Sequence, residues 1–181
     1  MTRYIAFLRA INVGGRTVKM DRLRALFQEL GYSNVETFIA SGNVIFESAN
    51  EDSHALEHQI ETHLQESLGW PVDTFIRSAS DVETIAAYQP FGASEPVDGS
   101  TIYISFLPAH LSTEQQEALP PFLGIVDDIH VNDREIYLLF RKKISESGFS
   151  GAALEKAVGV ASTMRNRNTL QRLAKKYPVL K

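Results

Sequence analysis

The 181-residue chain has no cysteine, one tryptophan and three methionines. Without cysteine there is no disulfide, no thiol nucleophile and no thiolate zinc site. No apolar run approaches the roughly 20 residues of a membrane-spanning helix. The opening Met1-Thr2-Arg3-Tyr4 runs into a strand-like segment, not the apolar stretch of a signal peptide. A cytoplasmic protein with no membrane partner is the expectation. Repeats with a period of roughly 20–50 residues and low-complexity tracts are also lacking. Basic residues are scarce in the middle of the chain: from 32 to 140, only Arg77 and Arg134 stand against 18 acidic residues.

What is present is ordinary globular composition, 44% apolar and 22% charged. A chain of this length hides roughly 70% of its unfolded surface and needs no metal to fold. Its net charge of -4 conceals a segregation, because residues 1–31 carry +4 and residues 141–181 carry +8. Two basic chain ends predict a face that attracts anions. The pI near 5.7 lies well below the roughly 9 of a dedicated nucleic-acid binder, which makes nucleic acid the weaker partner.

Residues 3–9 read as a strand apolar on both faces. Met20, Leu23, Leu26, Phe27 and Leu30 recur at helical spacing and stop at Gly31. Strands at 34–40 and 43–48 flank the turn Ser41-Gly42-Asn43. Leu56, Ile60, Leu64 and Leu68 stripe a second helix that Gly69 ends, and 72–78 is a fourth strand. The order predicts an α+β protein with a ferredoxin-like βαββαβ unit over residues 1–79.

A second, smaller α+β subdomain follows over 80–181. Ser80-Asp81-Val82-Glu83 is a capping-box sequence, and Pro90 to Ser100 reads as a linker. A strand at 101–107, a helix from Ser112, a hairpin turned at Asn132-Asp133-Arg134 and helices near 150–158 and 163–176 make this half βαββα. The C-terminal helices are expected to pack back on the first unit.

Three constellations carry chemistry. His54-Ala55-Leu56-Glu57-His58 matches the H-x-x-E-H metalloprotease pattern. On a helical wheel, however, both histidines point nearly away from the apolar stripe, so no metal site is predicted. Arg9 to Arg16 holds paired glycines between strand and helix, where backbone N–H groups and a helix start favour anions. Topology places Asn12 and the glycines at the sheet end that carries Ser41-Gly42-Asn43. Thr163-Met164-Arg165-Asn166-Arg167-Asn168-Thr169, taken as the opening of the last helix, is anion and amide recognition chemistry. No Ser-His-Asp set or carboxylate pair is present, and 43–48 lacks the aromatic pattern of an RNA-recognition strand.

The segments Leu8-Arg9-Ala10-Ile11-Asn12-Val13-Gly14-Gly15, Ser41-Gly42-Asn43-Val44-Ile45-Phe46 and Thr163 to Thr169 resemble, in that order, the bacterial family called domain of unknown function 1697. The resemblance spans essentially the whole chain. It implies R-G-I-N-V-G-G at the front and T-x-R-N-W-N-T at the back, so Ala10 replaces a glycine and Arg167 a tryptophan. It implies a pair of α+β subdomains and assigns no reaction.

The residues point to a binding protein for a phosphate-bearing small molecule, nucleotide or nucleic acid, with no cofactor. The expected ligand-binding set is Arg9, Asn12, Gly14, Gly15, Ser41, Asn43, Arg165, Asn166 and Asn168, gathered where the chain ends meet. An enzyme acting on a small anionic substrate, with arginines as electrostatic stabilisers, and an interaction protein without a small ligand are the alternatives.

Overall fold

The computed structural model describes residues 1–40, 42–92 and 99–180. The chain divides into two compact units, Met1–Ile85 with Gln171–Lys181, and Ala86–Leu170. Both are α+β, and together the described residues form two four-stranded antiparallel sheets and seven helices. No helix among them is long and apolar enough to cross a membrane.

In the first unit the elements follow as β1 (Thr2–Leu8), α1 (Met20–Glu29), β2 (Ser33–Thr37), β3 (Asn43–Ser48), α2 (Ser53–Leu68) and β4 (Thr74–Ser78). The strands lie in the order β2-β3-β1-β4. β1 is central because nearly every residue from Tyr4 to Leu8 is apolar and buried, a pattern that suits only a strand covered on both faces. The expected helical stripes do the packing. Leu23, Leu26 and Phe27 of α1 and Leu56, Ile60 and Leu64 of α2 meet Tyr4, Ala6, Leu8, Val44, Phe46 and Ile76 of the sheet.

The ends of α2 follow helix-terminus chemistry. The Asp52 carboxylate accepts from the N–H groups of His54 and Ala55. Gly69 ends the helix at φ +83°, a left-handed conformation that costs a residue with a Cβ. α1 differs, since Lys19 stands at its N-cap position and no side chain among the described residues caps it.

Two boundaries depart from the sequence expectation. β2 ends at Thr37 rather than 40, because Ile39 turns the backbone to φ +52° and leaves the ladder. α3 (Ala79–Ala87) starts one residue before Ser80, not after it. Ser78 Oγ accepts from the Asp81 N–H while Asp81 Oδ2 accepts from the Ser78 N–H. The reciprocal cap therefore uses Ser78 and Asp81, two residues upstream of the expected box.

The second unit holds β5 (Thr101–Phe106), α4 (Thr113–Glu117), β6 (Asp128–Asn132), β7 (Glu135–Phe140), α5 (Ile144–Ser147), α6 (Gly151–Val158) and β8 (Thr163–Asn166). Its sheet order is β6-β7-β5-β8, and α7 (Arg167–Lys176) follows β8. The Ser112 capping box and the Asn132-Asp133-Arg134 hairpin stand as expected. The expected helix over 163–176 is corrected, for Thr163–Asn166 is a strand paired with β5, Arg165 opposite Ile104. Pairing satisfies backbone groups that an asparagine-rich first turn would leave to side chains, and Met164 packs on the unit's apolar core. Asn166 Oδ1 then accepts from the Asn168 N–H at 2.8 Å and caps α7. In the expected linker Pro90–Ser100, residues 93–98 lie outside the described residues.

Candidate functional site

The loop from Arg9 to Lys19 leaves the end of β1 and leads into α1. Its glycines form a tight turn: Val13 C=O accepts from the Arg16 N–H at 3.2 Å, with Gly14 at φ +64° and Gly15 at φ +84°. Two successive positive φ values are the type I′ geometry that glycine permits. A Cβ on either would meet nothing within 4 Å, so backbone conformation, not space, selects glycine there.

The second loop, Phe38 to Gly42, lies beside it. Leu8 N–H donates to Gly42 C=O at 2.8 Å, and a Cβ on Gly42 would fall 2.7 Å from Ile11 Cγ2. One side chain ties the loops together. Asn12 Oδ1 accepts from the Val18 N–H at 2.8 Å while its Nδ2 donates to Ala40 C=O at 3.4 Å. Asn43 is fully buried beneath, its Nδ2 donating to Phe38 C=O at 3.0 Å. Of the expected approach of Asn12 and the glycine pair to Ser41-Gly42-Asn43, Asn12 reaches the neighbouring Ala40 and Gly42 lies against Ile11, whereas no described contact joins Gly14 or Gly15 to that turn. Ser41 lies outside the described residues.

Both loops carry strain. Ala10 stands at φ +53° and Ile39 at φ +52°, and a β-branched residue in that region is a backbone outlier. Ile39 and Val13 also present apolar side chains to solvent, 44% and 62% exposed.

The cations divide into engaged and available. Arg9 NH1 pairs with Asp73 Oδ2 at 3.3 Å, and its backbone N–H donates to Asp73 C=O. In the first turn of α1, Asp21 is turned to Arg24. Among the described residues, neither Arg16 nor Lys19 forms a salt bridge. Arg16 instead lies over the ring of Trp70, 5.7 Å from its centroid, and Trp70 Nε1 is buried without a hydrogen-bond partner. Sequence reasoning held Arg16 only as the edge of the glycine segment and missed Trp70. The one available signal was a lone tryptophan between the helix stop Gly69 and Pro71.

Arg165, Asn166 and Asn168 belong to the second unit. Arg165 is buried on β8, where its NH1 donates to Thr163 Oγ1 at 2.9 Å and to Met164 C=O at 2.8 Å. Burial pushes its guanidinium down to about 10. Asn166 and Asn168 make the α7 cap. Arg77, which the sequence reading counted only as a charge, is the counterpart of Arg165 in the first sheet, 2% exposed on β4.

The H-x-x-E-H segment has a structural occupation. Glu57 is buried, its Oε1 accepting from the Ile76 N–H at 2.8 Å and its Oε2 lying 3.1 Å from His54 Nδ1. Among the described residues no group of three or more histidine, aspartate or glutamate side chains is arranged to hold a metal ion.

Comparison with known proteins adds family and fold. No curated protein matches the chain. Among solved structures it is similar to the conserved bacterial protein SP0830 from Streptococcus pneumoniae, with 25% identity and a TM-score of 0.74. The likeness covers 97% of this chain and 98% of that one. The model of the protein family of unknown function DUF1697 matches residues 1–137, and to that family the chain belongs.

Proposed function

We propose that the protein is a cytoplasmic binding protein for a small phosphate-bearing anion, received at the loop end of the first unit. Each unit is read as ferredoxin-like, a reading supported by the matching strand orders β2-β3-β1-β4 and β6-β7-β5-β8. The absence of cysteine supports the cytoplasmic assignment.

The start of α1 carries the binding proposal. Among the described residues its first-turn N–H groups have no side-chain acceptor, and the cations Arg16 and Lys19, in no described salt bridge, lie within four residues before it. An uncapped helix start beside available cations favours a compact anion through both its N–H groups and its dipole. The Val13–Arg16 turn and the Asn12-tied loop frame that position. Arg165, Asn166 and Asn168 are left to the second unit, where they hold β8 and the start of α7.

Trp70 supplies the readout, since it is the only tryptophan and Arg16 lies on its ring. Inorganic phosphate, pyrophosphate, a nucleotide and a single-stranded oligonucleotide are titrated while melting temperature and Trp70 emission are followed. A ligand at 100 times its Kd adds about 2.7 kcal/mol of stability. The Arg16→Gln/Lys19→Gln double variant is expected to lose both responses and keep its fold. Steep salt dependence would identify nucleic acid as the partner. Absence of any response, or equal responses in the double variant, rejects the proposal.

A further inference from the structure

A second cluster in the first unit shares only Phe38 with the loop site, using its ring where the loop uses its carbonyl. The rings of Phe38 and Tyr177 stand edge to face, 6.2 Å apart with an interplanar angle of 89°. The Lys176 ammonium lies 4.9 Å from the Tyr177 ring centroid and 5.9 Å from that of Phe38. Its Nζ is also 3.7 Å from Glu36 Oε2, which accepts from the Tyr177 hydroxyl at 2.7 Å. Two perpendicular rings and a carboxylate around an ammonium group make a cation cage. Arg172 takes a further place on Phe38, 5.1 Å from its centroid.

Glu36 and Tyr177 are at the same time part of the wall of a cleft of about 630 Å³ that Gln28, Asn34 and Arg3 also line. That volume falls within the roughly 300–1,000 Å³ of small-molecule sites. Arg3 does not make the cleft cationic. Its Nε and NH2 donate to Glu47 Oε1, and its NH1 donates to Pro178 C=O. Glu36, in contrast, meets only the Tyr177 hydroxyl and, at longer range, Lys176 among the described residues.

We propose that this cleft binds a compact organic cation with an ammonium or trimethylammonium head, and that Lys176 is its built-in stand-in. The head of the ligand replaces Lys176 Nζ against Glu36 and the Tyr177 ring, and its polar remainder meets Gln28 and Asn34. The side chains of Lys176 and Glu36 are each 56% exposed, so Lys176 can swing into water without repacking a core. An internal competitor lowers apparent affinity by the fraction of time it leaves the site open. If Lys176 occupies the cage about nine-tenths of the time, its removal gains about tenfold.

The test titrates choline and n-butylammonium into wild type, Lys176→Met and Lys176→Gln, with affinity read by calorimetry. Both Lys176 variants are expected to bind about tenfold more tightly than wild type. Adding Glu36→Gln to Lys176→Met should remove the gain, while the Trp70 response to phosphate stays unchanged. Variants that bind no more tightly than wild type, or a gain that survives Glu36→Gln, would overturn the proposal. A changed phosphate response with no cation binding would do so as well, placing these residues with the loop site.

Discussion

Ala10 holds a methyl-bearing residue at φ +53° in an exposed loop, where the family resemblance implies a glycine. The left-handed region costs an L-residue roughly 1–2 kcal/mol, partly offset by the greater unfolded-state freedom of glycine. Ala10→Gly is therefore expected to stabilise the protein by up to about 1 kcal/mol in urea denaturation, and a loss of stability would contradict the assigned backbone. The faces of α2 offer a second comparison at this scale. Leu64 is 1% exposed among apolar neighbours, and Leu64→Ala should cost about 2–5 kcal/mol. His58 lies on the solvent side, and His58→Ala should stay within about 0.5 kcal/mol. Equal losses in the same assay would mean that the helix is rotated.

Glu47 links a single side chain to pH. The Asn34 amide, donating to its Oε2 at 2.7 Å, and the Arg3 guanidinium hold its carboxyl below the ordinary carboxylate range, against the opposing effect of burial. A depressed folded-state value stabilises the fold above the unfolded carboxyl pKa of about 4.3, and the contribution is lost as pH falls through the folded value. Asn34 stands at φ +50°, so Asn34→Gly removes the amide while keeping the backbone. Relative to wild type it should lose roughly 1 kcal/mol at neutral pH, a deficit that narrows as pH falls below about 4. Denaturation at a series of pH values checks this, and a constant deficit would exclude the linkage.

Among the elements, β4 shows how an open sheet edge is closed. It is the last strand of its sheet, and two α2 carboxylates reach its N–H groups: Glu57 takes Ile76 and Glu61 takes Thr74, each at 2.8 Å. One helical turn spans about 5.4 Å and two strand residues about 6.6 Å, so the spacings nearly match. Unpaired edges invite association with other chains. Glu57→Ala/Glu61→Ala is expected to lose about 2–4 kcal/mol and to self-associate with rising concentration in sedimentation velocity. An unaltered sedimentation profile would show that the edge is protected by other means.

The helical stripes, glycine stops and hairpin turns were legible in the sequence because each depends on neighbours within a few residues. The role of Glu57 was not, since its partner lies 19 residues away on a strand whose register no local pattern reveals. β8 escaped for another reason. Four residues are too few to show a two-residue alternation, and Asn166 caps from inside a segment whose composition resembles a helix start. In the candidate site, topology foretold that Asn12 lies near the Ser41-Gly42-Asn43 turn, and it reaches the neighbouring Ala40. It could not foretell that Arg9 is engaged by Asp73 or that Arg16 lies on Trp70, because side-chain pairing between loops leaves no periodic trace.

For the whole molecule, the two sheets share one plan. β1 and β5 are the inner strands paired to β3 and β4, and to β7 and β8, respectively. Their sequences run in step, Thr2, Tyr4, Ile5, Phe7 and Leu8 against Thr101, Tyr103, Ile104, Phe106 and Leu107, an offset of 99 residues that a search for short repeats passes over. The flanking helices differ, 16 residues in α2 against eight in α6, which hides the correspondence elsewhere.

That shared plan gives the molecule an echo. Substitution at one inner strand should be felt as it is at the other, so tolerance measured across all single variants should trace nearly the same profile through residues 2–8 and 101–107. The echo should break where the strands differ, at Arg3 against Ile102 and at Ala6 against Ser105. Among the described residues Ser105 Oγ is buried without a partner, so Ser105→Ala should be harmless or stabilising. Ala6→Ser, by contrast, would bring a hydroxyl into the packed core of the first unit and should be selected against.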